Sequence, residues 1–210
     1  FIIEDCALAL GSKYKGKWLG QSGDASVFSF ELSKTLTAGW GGLVQINNDQ
    51  VLTKNIISIR NKAGSLPQFT ASRRLLQAGL SAILYRPEIL KFSGYIIAIL
   101  FKTGLFKKSE TKSNEKKIPN EYLAAPADPQ WWVLSNQLHR LNEVLECRKD
   151  ITKKYTLAIS GIYPDNIFHW NDNVILIRFP LLVKNRKGFC ALFASNGIEV
   201  GSWFNMPVAC

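Results

Sequence analysis

A carboxylate, a hydroxyl and an amine stand in the first 34 residues in an order that suits carbonyl chemistry. Asp5 closes the run Ile3-Glu4-Asp5, Ser29 lies in the alternating run ASVFSF, and Lys34 follows just past it, with Gly41-Gly42 beyond. A lysine amine condenses with an aldehyde when it is accessible and able to lose its proton, and burial or nearby positive charge helps it do so. A carboxylate facing a pyridine-type nitrogen keeps that nitrogen protonated, so the ring can withdraw electrons. A hydroxyl with backbone donors holds a phosphate. Asp5, Ser29 and Lys34 supply all three needs, and the glycines after the lysine let the backbone approach a bound group closely. Each residue also has an ordinary reading. An aspartate after a strand commonly caps a turn, a strand serine can face outward, and most lysines are solvated. Spacing alone leaves both readings open.

The surrounding pattern places these residues on α/β structure. Phe1–Ile3 reads as a short buried strand with Glu4 and Asp5 at its C-terminal end, where ligands bind in open α/β sheets. Ala25–Phe30 and Leu43–Ile46 read as further strands, and Asp49 as the cap of a helix running through Ile59. Leu76, Leu80, Ile83 and Leu84 give Ser72–Tyr85 a helical period, which Pro87 interrupts. Ile89–Phe106 is almost wholly apolar, and Lys107–Glu121 is charged and solvated. Asp128 capping a helix with Pro129 in its first turn, followed by Leu134, Leu138, Leu141, Leu145, Arg148, Ile151 and Tyr155 on one face, predicts one long helix. Asn173–Phe179 and Ile198–Phe204 read as strands flanking a helix over Arg186–Asn196 that Gly197 stops. The expected fold class is α/β, with residues 1–60, 61–127 and 128–210 as three regions.

The bulk numbers narrow the partners. The 210 residues carry a net charge of +10, which favours anionic partners such as a phosphorylated small molecule or an acidic lipid surface. Cys6, Cys147, Cys190 and Cys210 show no CxxC spacing and read as free thiols in a reducing compartment, hence a cytoplasmic setting. His139 and His169 have no ligand-spaced neighbours, so no metal site is expected. Trp131-Trp132 are expected against the core or a subunit partner, His139 at the surface and Asp24 in a structural role. The chain opens on Phe1 with no basic leader pattern, so no signal peptide is expected and residues upstream are. The apolar stretch 89–106 has three readings: a short membrane span, a buried pair of helices, or an in-plane membrane helix flanked by Arg73, Arg74, Lys107 and Lys108.

Residues 2–49 include IEDCALALGSKYKGKWLGQSGDASVFSFELSKTLTAGWGGLVQINND. In order and spacing this resembles the DegT/StrS-type aminotransferases, fold-type-I enzymes that use pyridoxal 5'-phosphate (PLP) on nucleotide-linked keto-sugars. QLHRLNEVLECRKDITKKY resembles the family's long helix before its small domain, and the segment Gly197–Gly201 its C-terminal strand entry. The resemblance implies the end of the PLP-binding large-domain sheet in 1–60, an apolar insertion and charged linker in 61–127, and a small C-terminal α/β domain in 128–210. It implies that Asp5 pairs with the pyridine nitrogen, Ser29 contacts the phosphate, and Lys34 is both the Schiff-base lysine and the general acid/base. The implied partners are a nucleotide-sugar substrate, an amino-acid donor and a second copy in a homodimer, with no nucleic acid; peripheral membrane contact through residues 71–108 is a separate reading, which rests on the apolar stretch and its basic flanks and not on the resemblance. Retention of Lys34 separates the chain from the family's dehydratase-like branch.

Departures from the pattern are Leu8 in place of a glutamine, no match to a phosphate-binding asparagine loop, and Val208-Ala209 after Pro207 where a histidine often stands. The N-terminal half of the family's large domain is not in this sequence. Two other classes therefore stay open: a non-catalytic PLP-fold binding protein and a membrane-surface interaction protein.

Overall fold

In the run Ala25–Ser29 alternation turns Ser26 and Phe28 into the core and leaves Val27 exposed on the other face, Ala25 being buried at the strand's start, and this strand is the centre of the sheet. The computed structural model describes residues 1–107, 122–160, 171–198 and 200–201. Strands β1 (Ile3–Asp5), β4 (Ala25–Ser29) and β5 (Gly42–Ile46) form a three-stranded sheet in the order β1-β4-β5. β1 runs parallel to β4 with Asp5 opposite Val27, and β5 runs antiparallel with Val27 opposite Val44 and Ser29 opposite Gly42. A small hairpin of β2 (Lys13–Tyr14) and β3 (Lys17–Trp18) turns through Lys15 and Gly16, both at positive φ.

Six helices complete the described chain: α1 (Gln50–Lys62), α2 (Gln68–Leu84), α3 (Pro87–Lys102), α4 (Asp128–Leu138), α5 (Leu141–Ser160) and α6 (Arg186–Ser195). Asp49 caps α1 as expected, accepting from Leu52 N–H at 2.8 Å. Asn185 caps α6 in the same way, and Gly197 follows that helix at φ +73°. The main core joins sheet and helices: Cys6, Phe28, Phe30, Leu36, Ala38 and Leu134, with Leu10, Leu19 and Leu141 packed against them. A second cluster of Leu66, Ala71 and Ala127 ties α2 to the start of α4.

Several expectations need correction. The first strand is Ile3–Asp5 and not a buried Phe1–Ile3; Phe1, Ile2 and Ile3 are exposed among the described residues, Ile3 on the sheet face it shares with Val27 and Val44. The long helix is two helices. The chain turns at His139-Arg140, and Leu134 and Leu141 reach the same core from either side of the turn, while Leu138, Ile151 and Tyr155 are exposed. Asp128 is the first helical residue and not the cap; the Gln130 side chain reaches back to accept from Ala127 N–H at 3.1 Å.

Asn173–Phe179 is irregular, because its backbone is satisfied piecemeal and not by a ladder. Ile175 N–H donates to Ser12 Oγ, Asn173 C=O accepts from Lys13 N–H, and Arg148 donates to the carbonyls of Leu176 and Ile177. Trp131 and Trp132 are exposed and not packed in the core. The Ile198–Phe204 strand lies largely outside the described residues, as do His169, Cys210 and most of the 107–121 run. Asp24 is structural, its carboxylate accepting from Ile2 N–H at 2.6 Å. His139 is at the surface.

Candidate active site

Register places two of the three expected site residues on one face. Asp5, Val27 and Val44 form a row across the sheet, and Ser29 lies two residues beyond Val27 on the same side. From strand spacing, the Asp5 and Ser29 backbones are about 8 Å apart. That face is open, with Val27 and Val44 exposed, whereas the opposite face carries Ser26 and Phe28 into the core. Asp5 Oδ1 accepts from Ala7 N–H at 3.0 Å, which orients the carboxylate and leaves its other oxygen for a ligand. Cys6, next along, has its thiol held protonated: burial pushes its pKa up, and the charges of Glu4 and Asp5 add to this.

Lys34 sits in a turn that begins as β4 ends. Its N–H donates to Glu31 C=O at 3.1 Å, and the Glu31 carboxylate accepts from Ser33 N–H and Oγ. The Ser29 hydroxyl lies 3.5 Å from Glu31 N, at the limit of a hydrogen bond. The Lys34 side chain is half-buried, and the adjoining Thr35 hydroxyl is buried without a partner among the described residues. A carboxylate and a hydroxyl on one sheet face, with a lysine five residues beyond the hydroxyl along the chain, are residue types that suit a cofactor bearing an aldehyde, a ring nitrogen and a phosphate. Leu8 is exposed nearby in sequence and brings no hydrogen-bonding group.

Sequence reasoning missed what holds this turn in place. Gln130 of α4 is 1% exposed, and its amide nitrogen donates to the carbonyls of Ala38 and Trp40, both at 3.0 Å. Gln137, seven residues later, accepts from Thr37 N–H at 3.0 Å and donates to Thr37 C=O at 2.5 Å. Seven residues are two helical turns, so both amides leave the same face of α4 and grip residues 37–40. The available signal was a pair of glutamines at heptad spacing on a helix whose start was legible. From the other side, the Arg74 guanidinium of α2 stacks over the Trp40 ring at 4.7 Å. Gly39 has φ +73° with the Arg74 backbone where a Cβ would go, and a Cβ at Gly42 would fall 2.5 Å from Phe28 O. At these two positions glycine serves the chain's own packing.

Glu4 was also missed. Its carboxylate faces away from Asp5 and accepts from the N–H groups of Gly20, Ser22 and Gly23 at 2.7–3.0 Å. Those bonds, Gly23's first and then Gly20's, hold its pKa below the ordinary carboxylate value against a smaller opposing effect of burial, with Ser22 adding to the lowering. Glu4 thereby folds the glycine-rich loop 20–23 beside β1.

Residues 1–79 match the model of the DegT/DnrJ/EryC1/StrS aminotransferase family. A GDP-perosamine synthase from Escherichia coli O157:H7 is 60% identical over 52 residues, which are 25% of this chain and 14% of that enzyme. A DegT/DnrJ/EryC1/StrS aminotransferase from Brucella abortus superposes with a TM-score of 0.62 at 20% identity, covering 99% of this chain and 43% of the other. A GDP-4-keto-6-deoxy-D-mannose-3-dehydratase from E. coli, solved with hydrated PLP, superposes at 0.55 and 17% identity over 94% of this chain and 44% of its own. The fold is therefore the α/β fold of the corresponding part of these enzymes, and this chain spans less than half of their length.

Proposed function

We propose that this chain is the lysine-bearing part of a PLP-dependent aminotransferase that transfers an amino group from an amino acid to a nucleotide-linked keto-sugar, in amino-sugar or surface-polysaccharide synthesis. The observation that carries the reading is the family match over residues 1–79, which include Lys34 and, on one sheet face, Asp5 and Ser29. The close relation to a GDP-perosamine synthase supports a nucleotide-sugar substrate, and the net charge of +10 suits a diphosphate.

PLP supplies an aldehyde that bonds covalently to amines and a ring that withdraws electrons from the bonded carbon. Lys34 would anchor that aldehyde and, when displaced by the incoming amine, carry a proton on Nζ between the two carbons that exchange it. Asp5, oriented by Ala7 N–H, would hold the ring nitrogen protonated. Ser29 would donate its hydroxyl to the phosphate. The Gln130 and Gln137 amides would keep the turn after Lys34 from drifting as the amine swings. The reading includes a homodimer in the cytoplasm, associated with a membrane surface through residues 71–108, and a small C-terminal domain from residue 128.

Borohydride reduction of the full-length protein loaded with PLP, followed by peptide mass mapping, tests this. The label is expected on Lys34 and absent from Lys34→Ala. A folded full-length protein that takes no label would overturn the aminotransferase and leave a non-catalytic binding protein of the same fold.

A further inference from the structure

Helices α2 and α3 are built with their polarity reversed. The buried side chains of α2 are Ala71, Arg74, Gln77 and Ser81, while Phe69, Leu76 and Ile83 are exposed. In α3, Ser93 and Ile97 are buried, and Ile89, Phe92, Tyr95, Ile96 and Ile99 are exposed, Phe92 at 79% and Tyr95 at 77%. A helix on a watery surface does the opposite.

The polar groups are used inside. Gln77 exchanges two hydrogen bonds with the Lys107 backbone at 3.0 and 3.1 Å, Arg73 donates to the carbonyls of Gly104 and Leu105, Ser93 donates to Leu84 C=O, and Arg74 stacks on Trp40. The exposed apolar residues of α3 fall within an arc of about 120°, centred about 120° around the helix from its buried pair.

Charge says what covers this face. Residues 68–107 hold six basic side chains and one acidic one, Glu88, in the first turn of α3. Arg86 at the hairpin turn and Lys102 at the end of α3 are exposed at either end of the apolar arc. A second copy docked on this face would bring its own Arg86 and Lys102 to the same surface, and like charges would meet. An anionic bilayer offers acyl carbon for the arc and phosphate for its ends. No described helix is long and apolar enough to cross a membrane, so the hairpin lies along the surface.

We propose that the α2–α3 hairpin is an in-plane anchor on an anionic lipid surface, with Phe92, Tyr95, Ile96 and Ile99 among the acyl chains and Arg86 and Lys102 among the headgroup phosphates. Because the inner side of α2 packs on Trp40 and Gly39, the anchor is fixed directly to the turn that follows Lys34. The site would therefore work at the bilayer surface.

The test is flotation of the full-length protein with vesicles of phosphatidylcholine alone and of equimolar phosphatidylcholine and phosphatidylglycerol, with the oligomeric state read by light scattering. Association with the anionic vesicles is expected, weakened by salt. It falls more than about tenfold in Phe92→Ser/Tyr95→Ser/Ile99→Ser and about tenfold in Arg86→Gln/Lys102→Gln, with the oligomeric state unchanged in both. These positions are exposed, so both variants fold, as circular dichroism would verify. Lys34→Ala floats like the wild type, which separates this anchor from the cofactor reading: either can fail alone. Equal binding to both vesicles, binding to neither, or a serine variant that dissociates the oligomer while leaving flotation intact would overturn the anchor.

Discussion

The turn after Lys34 and the α2–α3 hairpin touch each other and are stabilised by opposite means. Residues 37–40 expose little and are held by side-chain amides bonded to backbone carbonyls and N–H groups. The hairpin also spends polar groups inside, on residues 104–107, yet leaves a broad apolar surface outside. The first arrangement fixes one backbone geometry next to Lys34 in the chain. The second fixes a surface and offers it to something other than water. The proposed chemistry needs the first and the proposed attachment needs the second, and in this chain α2 joins them through Arg74 on Trp40.

Substitutions in the two regions should behave differently, and the widest contrast is between the lysine and its surroundings. Lys34→Ala is expected to abolish covalent PLP retention, read as loss of the borohydride-fixed label, with little change in unfolding midpoint. A half-buried lysine in a turn has little packing to lose. Next comes Gln130→Ala. It removes a donor from two carbonyls and an acceptor from Ala127 N–H in a fully buried setting, and it leaves a void. A destabilisation of about 2–4 kcal/mol is expected in urea unfolding. A value below about 0.5 kcal/mol would show that the amide grip does not hold the turn. Gly42→Ala should cost about 1–3 kcal/mol, since its Cβ would meet Phe28 O at 2.5 Å and the strands must part.

How much of this was legible depends on where the information lies. The strand around Ser29, the cap at Asp49 and the turn glycines are local signals, and the structure places them where the sequence pattern does. Asp5 and Ser29 are placed on one face once β1 and β4 are known to pair in register, which no local pattern states. Gln130 and Gln137 act 90 to 100 residues away in sequence, so nothing near them marks their partners. The α4–α5 break was hidden because Leu134 and Leu141 point at one core from two helices, and a periodic pattern reads such a bend as continuation. The hairpin's polarity was hidden for a related reason. An apolar arc says that a face avoids water but not which neighbour covers it, and Arg74, expected to flank a membrane helix, is instead buried over the Trp40 ring.

The smallest expected effect is on pH dependence, and it tests the loop beside β1. Glu4 is ionised in the fold below the usual carboxylate range because three N–H groups point at it. A group whose pKa is lowered by folding stabilises the fold at pH above its unfolded value, about 4.3. That contribution disappears as pH falls through this value and on through the lower folded one. Glu4→Gln keeps the shape but turns an amide N–H₂ toward an N–H donor, so one hydrogen bond becomes a repulsion. The variant should therefore unfold more easily than wild type at pH 7, and the gap should close as pH falls below about 4. Paired urea titrations across that range measure it. A gap independent of pH would mean that Glu4 holds the loop by shape alone. A gap that widens toward acid would mean that its carboxyl is protonated in the fold, against the three donors that surround it.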